Sequence, residues 1–269
     1  MIDRAFEGMK IVRTAMVALL VVGISGGAAH AAEDADISSP DAGEILTGMG
    51  AFLGAAKAFS VTVDGSYDAL QEDGTHLEFA GRRDITLTRP ARLRVASYES
   101  DGTLELLTFD GNTLSLVRPA EKIYAQTDFA GSIDDAVVHF VGELGLRLPL
   151  AMLLLARLPE ELDRRVISIA YVERALLSGV PAHHLVATTE TVDFQIWVKD
   201  GDQPVPLRVN IRYREAAGQP TFRANLTDWN FAPAIDEATF RVALPRDARR
   251  VAFFNQVEIL ASHTEEEQP

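Results

Sequence analysis

Between residues 191 and 213, apolar and polar positions alternate on both sides of a turn. Phe194, Ile196 and Val198 share one face, and Asp193, Gln195, Trp197 and Lys199 share the other. Asp200-Gly201, with Pro204 and Pro206 after it, reverses the chain, and Leu207, Val209, Ile211 and Tyr213 resume the alternation. Period two on both arms of a turn is the pattern of a long antiparallel hairpin with one buried face.

The same period runs through most of the chain. Val61 and Val63 open a first strand. Leu77, Phe79, Ile85 and Leu87 share one parity along a second, and Leu93, Val95 and Ser97 form a third. Asp101-Gly102 and Asp110-Gly111 read as hairpin turns around 103–109, with 113–118 and 123–126 following. Strands resume at 166–172, at 181–189, in the 191–213 hairpin and at 221–231.

Helical spacing interrupts this pattern twice. Ser39-Pro40 reads as the N-cap and first position of a helix whose apolar face is Ile45, Leu46, Met49, Phe52, Leu53 and Ala56. Gly48, Gly50 and Gly54 weaken it as a free helix, so packing must hold it. Ser132 caps a second helix, with Asp134 and Asp135 in its first turn and Ile133, Ala136, Val137, Phe140 and Val141 inward. The stretch 150–158 is apolar nearly all round and must be covered on most sides. The fold class is therefore mainly β with α: about eleven antiparallel strands curl into a barrel or part-barrel, and helices cover the concave side. Residues 233–245 form a short helical or irregular closure carrying Phe240, 251–260 a small amphipathic helix, and 262–269 a charged tail.

The N-terminus adds a compartment. Arg4, Lys10 and Arg13 precede an apolar run over 15–24, and Ala29-His30-Ala31 follows. Basic region, short apolar run and A-x-A site together predict a cleavable secretory signal peptide over 1–31, with Met1 or Met9 as the start. The run is shorter than the roughly 20 residues a spanning helix needs, so cleavage would leave a soluble periplasmic chain. One domain over 32–250 and a C-terminal extension over 251–269 would remain. Losing three basic and two acidic residues takes the formal charge from −14 to −15. Such a chain is repelled by phosphate backbones, which argues against nucleic acid as a partner. It holds no cysteine, which excludes disulfides, thiolate metal sites and cysteine nucleophiles.

Candidate chemistry is sparse. His183 and His184 are adjacent on a strand, so they point to opposite faces and cannot share a metal. Asp134-Asp135 and Glu160-Glu161 fit the first turns of helices, where the macrodipole favours carboxylates. No nucleophile–base, zinc-protease, phosphate-loop or dinucleotide motif is present, so neither an enzyme nor a cofactor is expected. Arg82, Arg83, Arg89, Arg92 and Arg94 form one basic cluster, read either as a solvated strand face or as a rim for an anionic head group or partner. Trp197 and Trp229 lie on strand faces opposite the aliphatic ones, as second-face core or as the wall of a ligand cavity.

Leu77-Glu-Phe-Ala, the Arg-Pro-Ala-Arg-Leu-Arg run over 89–94, Phe109-Asp-Gly-Asn-Thr-Leu, Gly179-Val-Pro-Ala-His-His-Leu and Asp193-Phe-Gln-Ile-Trp-Val carry a resemblance. Together they resemble a family of predicted periplasmic proteins within the superfamily of LolA- and LolB-type lipoprotein carriers, over roughly residues 41 to 245. The resemblance implies a LolA-like half-barrel around an apolar cavity that receives acyl chains. The LolB-type receptor is lipid-anchored through a cysteine. This chain has none, so what transfers is the soluble-carrier role.

The expected function is that of a periplasmic protein that binds or carries an apolar ligand, a lipid or an acylated protein. Phe140, Met152, Leu153, Leu155, Phe194, Ile196, Trp197 and Trp229 are the candidate ligand-binding residues, and an envelope protein is a further candidate partner. The alternative is a non-enzymatic envelope interaction or regulatory module whose cavity is filled by its own helices. An open apolar cavity of at least about 300 Å³ favours the carrier. The segment 132–158, rich in apolar side chains, is then the lid or plug.

Overall fold

The computed structural model describes residues 40–71, 73–142, 150–244 and 246–253. The expected signal peptide, most of the expected C-terminal helix and the charged tail lie outside these residues. The first meander is β1 (Ala58–Leu70), β2 (His76–Thr88), β3 (Arg92–Glu99), β4 (Leu104–Phe109), β5 (Thr113–Arg118) and β6 (Ile123–Asp128). The second is β7 (Ser168–Leu177), β8 (Val180–Thr188), β9 (Val192–Lys199), β10 (Pro206–Tyr213) and β11 (Thr221–Asn230). Helix α1 (Ala42–Ala55) precedes the first, while α2 (Ile133–Gly142), a 3-10 turn (Ala151–Leu154) and α3 (Leu158–Arg165) lie between the two.

Both meanders belong to one sheet, because β1 pairs antiparallel with β11. The order among the described residues is β12-β6-β5-β4-β3-β2-β1-β11-β10-β9-β8-β7, where β12 (Arg249–Arg250) is a two-residue strand parallel to β6. The ends of that order, β12 and β7, do not pair, so the sheet is open. Eleven antiparallel strands are present as expected, and β12 is the one addition. β7 continues to Leu177 rather than stopping at Val172, because a bulge between Tyr171 and Glu173 breaks the alternation that marks a strand in sequence.

Curvature follows from the core. Leu93, Phe109, Leu114 and Leu116 of the first meander join Leu185, Val198 and Val209 of the second in one buried cluster, with Met49, Leu53, Ile133, Phe140 and Leu158 from the helices. A flat twelve-stranded sheet would be about 50 Å wide, too wide for three short helices to bridge. The sheet therefore wraps the helices as a half-barrel. On the convex face, a 3-10 turn (Glu237–Phe240) packs against β3 and buries Phe240.

Helix α1 is capped by Asp41, not Ser39. The Asp41 carboxylate accepts from the amides of Gly43 and Glu44, because it sits where it can reach both. Its glycines have a packing reason. A Cβ on Gly54 would stand 2.4 Å from the Ala156 carbonyl oxygen, and one on Gly50 would stand 3.0 Å from Leu162. Close approach of α1 to the 156–162 segment needs both positions bare.

Candidate functional site

Between the helices and β9–β10 lies a cavity of about 570 Å³. Its floor is Phe194, Ile196, Val209, Ile211 and Tyr213 of the sheet. Its roof is Leu46 and Met49 of α1, Val137 and Val138 of α2, and the 3-10 turn with its flanks, Leu150 to Leu153 and Leu155. Its polar lining is Arg157 at the N-cap of α3, Glu161 and Arg165 of α3, and Thr189 and Thr191. An apolar enclosure with a polar rim suits a ligand with an apolar body and one polar end.

Of the residues singled out from sequence, Met152, Leu153, Leu155, Phe194 and Ile196 line this cavity. Phe140 does not; it is fully buried in the core below α2. Trp197 stands on the convex face, its ring stacked on His184 at 4.0 Å with the Arg208 guanidinium 5.7 Å from its centroid. Trp229 is turned inward, against the alternation that puts it on the opposite face. Asp228 adopts φ 54°, and the β1–β11 register slips between Ser60 and Thr62. That bulge flips the next side chain to the other face. Trp229 then packs on Phe59 and Phe231, and its Nε1 donates to the Pro206 carbonyl at 3.0 Å, at the core end of the sheet rather than on the cavity wall.

The basic cluster read from sequence is dispersed by strand parity. Arg82 pairs with Asp84 at 3.0 Å on the convex face, and Arg83 meets Glu99 at 3.9 Å on the concave one. Arg89 has a different role. Its side chain is only 12% exposed, and its guanidinium donates to the carbonyls of Leu53, Ala56 and Leu154 at 3.3, 3.1 and 2.9 Å. Asp134 lies 3.8 Å away and accepts from the amides of Ala156 and Arg157 at 2.8 and 3.2 Å. Burial pulls the Arg89 guanidinium below the ordinary arginine range, and Asp134 opposes that pull. One buried cation thus ties the end of α1, the 3-10 turn, and through Asp134 the starts of α2 and α3. Sequence reading missed it: a run of five arginines gives no sign of which one turns inward.

Asp135 holds its helix start as expected. Its carboxylate accepts from the Ser132 amide and hydroxyl at 2.9 and 2.6 Å, which hold it below the usual aspartate range. Glu161, only 11% exposed at the cavity rim, accepts from Arg165 at 2.8 Å and from Arg164, with Arg157 at 3.3 Å. The Arg165 hydrogen bond leads the effects that depress its carboxyl.

His183 and His184 do point apart. His183 faces Asp200 at 3.3 Å and the Tyr171 hydroxyl at 3.4 Å, while His184 Nε2 meets Gln195 Oε1 at 3.0 Å. Burial pushes the Tyr171 phenol up, which keeps it neutral. Among the described residues, no group of three or more histidines and carboxylates is arranged to hold a metal. A larger depression, about 710 Å³, lies on the convex face, where Arg208, Arg223 and Asn225 line it. Those groups are already satisfied, Arg208 by Asn225 at 2.8 Å and Arg223 by Asp68 at 3.2 Å.

A family model described as "Predicted periplasmic protein (DUF2092)" matches residues 42–254. The chain belongs to this family. It is the kind of family that the motifs between residues 41 and 245 pointed to, and it puts the chain in the periplasm. Among the described residues no helix is long and apolar enough to cross a membrane. No curated protein matches the DUF2092 chain. Solved structures similar to it include an uncharacterized conserved protein from Thermus thermophilus, with TM-score 0.46 and 11% identity over 78% of this chain and 97% of that one. LprF from Mycobacterium bovis is similar with TM-score 0.46 and 14% identity, over 78% and 99%. A LolA superfamily protein from Nitrosomonas europaea is similar with TM-score 0.39 and 12% identity, over 74% and 97%.

Proposed function

We propose that this periplasmic protein binds and carries an apolar ligand, a lipid or the acyl chains of an acylated protein, in the cavity under its helices. The observation that carries the reading is the cavity itself: about 570 Å³, with leucine, isoleucine, valine, methionine and phenylalanine on its walls. Its volume is that of a small-molecule site, about 300–1,000 Å³. Open apolar volume favours a carrier over an interaction module whose cavity its own helices fill. The reading is non-enzymatic: the rim carboxylate Glu161 is already engaged by three arginines.

In this reading the lid is the segment 132–158, of which residues 143–149 lie outside the described residues and α2 and the 3-10 turn are the described parts. Burial holds its apolar face down, and an acyl chain that offers the same contacts can replace it. Arg89 is the latch, because it is fixed to the end of α1 by the Leu53 and Ala56 carbonyls and its hydrogen bond to Leu154 holds only while the 3-10 turn stays against α1. Protein purified from a cell envelope and examined by native mass spectrometry should carry a lipid-sized adduct that solvent extraction removes. A disulfide joining the 3-10 turn to β9 should block loading of a fluorescent fatty acid until it is reduced. Loading that is equally fast in the oxidised form would rule the lid out. Failure to bind in either form would return the protein to the interaction-module reading.

A further inference from the structure

Among the described residues, the charged side chains that line the cavity are Arg157, Glu161 and Arg165. They follow one another at intervals of four along α3 from its N-cap, so one stripe of the helix presents all three. Glu160 and Asp163, the other acids of α3, are exposed and do not line the cavity. The Ile167 amide donates to the Thr188 carbonyl at 2.8 Å, which sets the turn carrying Thr189 and Thr191 beside the end of α3. Arg214 holds that turn by donating to the carbonyls of Thr189 and Glu190. In a chain of formal charge −14, this rim is cationic.

Glu161 cannot absorb the guanidiniums around it. A carboxylate offers about four lone-pair positions, whereas three guanidiniums carry about fifteen N–H donors. Arg164 and Arg165 both donate to its Oε2, and Arg157 Nε lies 3.3 Å from its Oε1. Asp134, 4.0 Å from Arg157, already accepts from the amides of Ala156 and Arg157. Arg157 and Arg165 remain 43% and 54% exposed, with donors left over. A guanidinium held on a carboxylate by part of its fork keeps the rest for a second anion.

We propose that the ligand ends in an anion, a carboxylate or a phosphate, and that Arg157 and Arg165 bind it while its apolar chain lies in the cavity. The inference rests on the carrier reading and adds the class of ligand, an anionic amphiphile. Glu161 competes for the same donors, so it sets how tightly the anion is held.

The test displaces N-phenyl-1-naphthylamine, a neutral fluorophore, with three amphiphiles of equal chain length: dodecanoate, dodecyl phosphate and dodecanol. The readout is the ratio of affinities within each variant, at about 0.15 M salt to screen distant charges. Wild type should bind at least one anion about tenfold or more tightly than dodecanol, the advantage of hydrogen bonds to a charged group. The better anion identifies the source, a phosphate-bearing lipid or a free fatty acid. Arg157→Gln with Arg165→Gln should bring the ratio to about one, and a ratio kept at the wild-type value would overturn the assignment to these arginines. Glu161→Gln should widen the ratio, an effect that a purely structural clamp would not give. Circular dichroism checks each fold. Should the glutamine pair not fold, Glu161→Gln decides, and an unchanged ratio there overturns the proposal. Equal affinity of wild type for all three amphiphiles would overturn the anion site and leave the carrier intact. Failure to bind the fluorophore or any amphiphile would bring down the carrier reading and this one together.

Discussion

The two meanders present the same alternation to the same concave face, yet they use it differently. Phe109 on β4 and Leu114 on β5 are fully buried. Phe194 on β9 and Ile211 on β10 are only half-buried and line a cavity. The difference is in what lies above. Over β4–β5 the chain is tied down: the Ile133 amide donates to the Pro90 carbonyl at 2.7 Å, and Phe129 packs both on Phe109 and on His139 of α2. Over β9–β10 the cover is one side of α1 and α2 with the 3-10 turn between them, and the turn is held by Arg89 and by apolar contact. A strand states which side chains face inward. The cover decides whether they become core or cavity.

Replacing Phe109 by alanine tests the packed side and should have the largest effect, a loss of about 3–5 kcal/mol in denaturant unfolding. A smaller loss would mean that this side also holds space. Arg89→Leu comes next. It takes the guanidinium away from three backbone carbonyls and removes the cation 3.8 Å from Asp134, which costs about 2–3 kcal/mol. It should also speed exchange of bound fluorescent fatty acid, and Arg89→Lys should not restore the wild-type rate, because an ammonium cannot span all three carbonyls. If exchange stays slow while stability falls, Arg89 is structural and not a latch.

Glu161 gives a smaller effect with a defined sign. Its carboxyl is depressed in the folded state, so its contribution is full above the unfolded value, about 4.3, and is lost as pH falls through the folded value. Wild type should therefore lose stability below about pH 4 relative to Glu161→Gln. The difference at neutral pH should be about 1 kcal/mol, since the arginine partners are largely solvated. Curves that stay parallel from neutral pH to pH 3 would deny the clamp. Phe194→Ala should change stability least, by under about 1 kcal/mol, because the ring already borders empty space. Its effect belongs in ligand affinity, and a stability loss equal to that of Phe109→Ala would erase the contrast between the two sides.

Much of this was legible in the chain. Alternation at Phe194, Ile196 and Val198, and at Val209 and Ile211, marked the cavity floor, and the almost uniformly apolar 150–158 stretch marked its roof. Local signals of that kind survive because period two and Asp-Gly turns depend on neighbouring residues alone. The Asp228 bulge was not legible. It moved Trp229 to the other face through a register slip against β1, a strand from the opposite end of the described chain. Nor was the inward turn of Arg89, whose three acceptors come from two other segments of the chain. Faces and turns were determined by the sequence locally. The pairing of β1 with β11, the space left under the 3-10 turn and the inward-turned arginine were decided by tertiary structure, because each depends on which distant segment arrives to cover or pair with a residue.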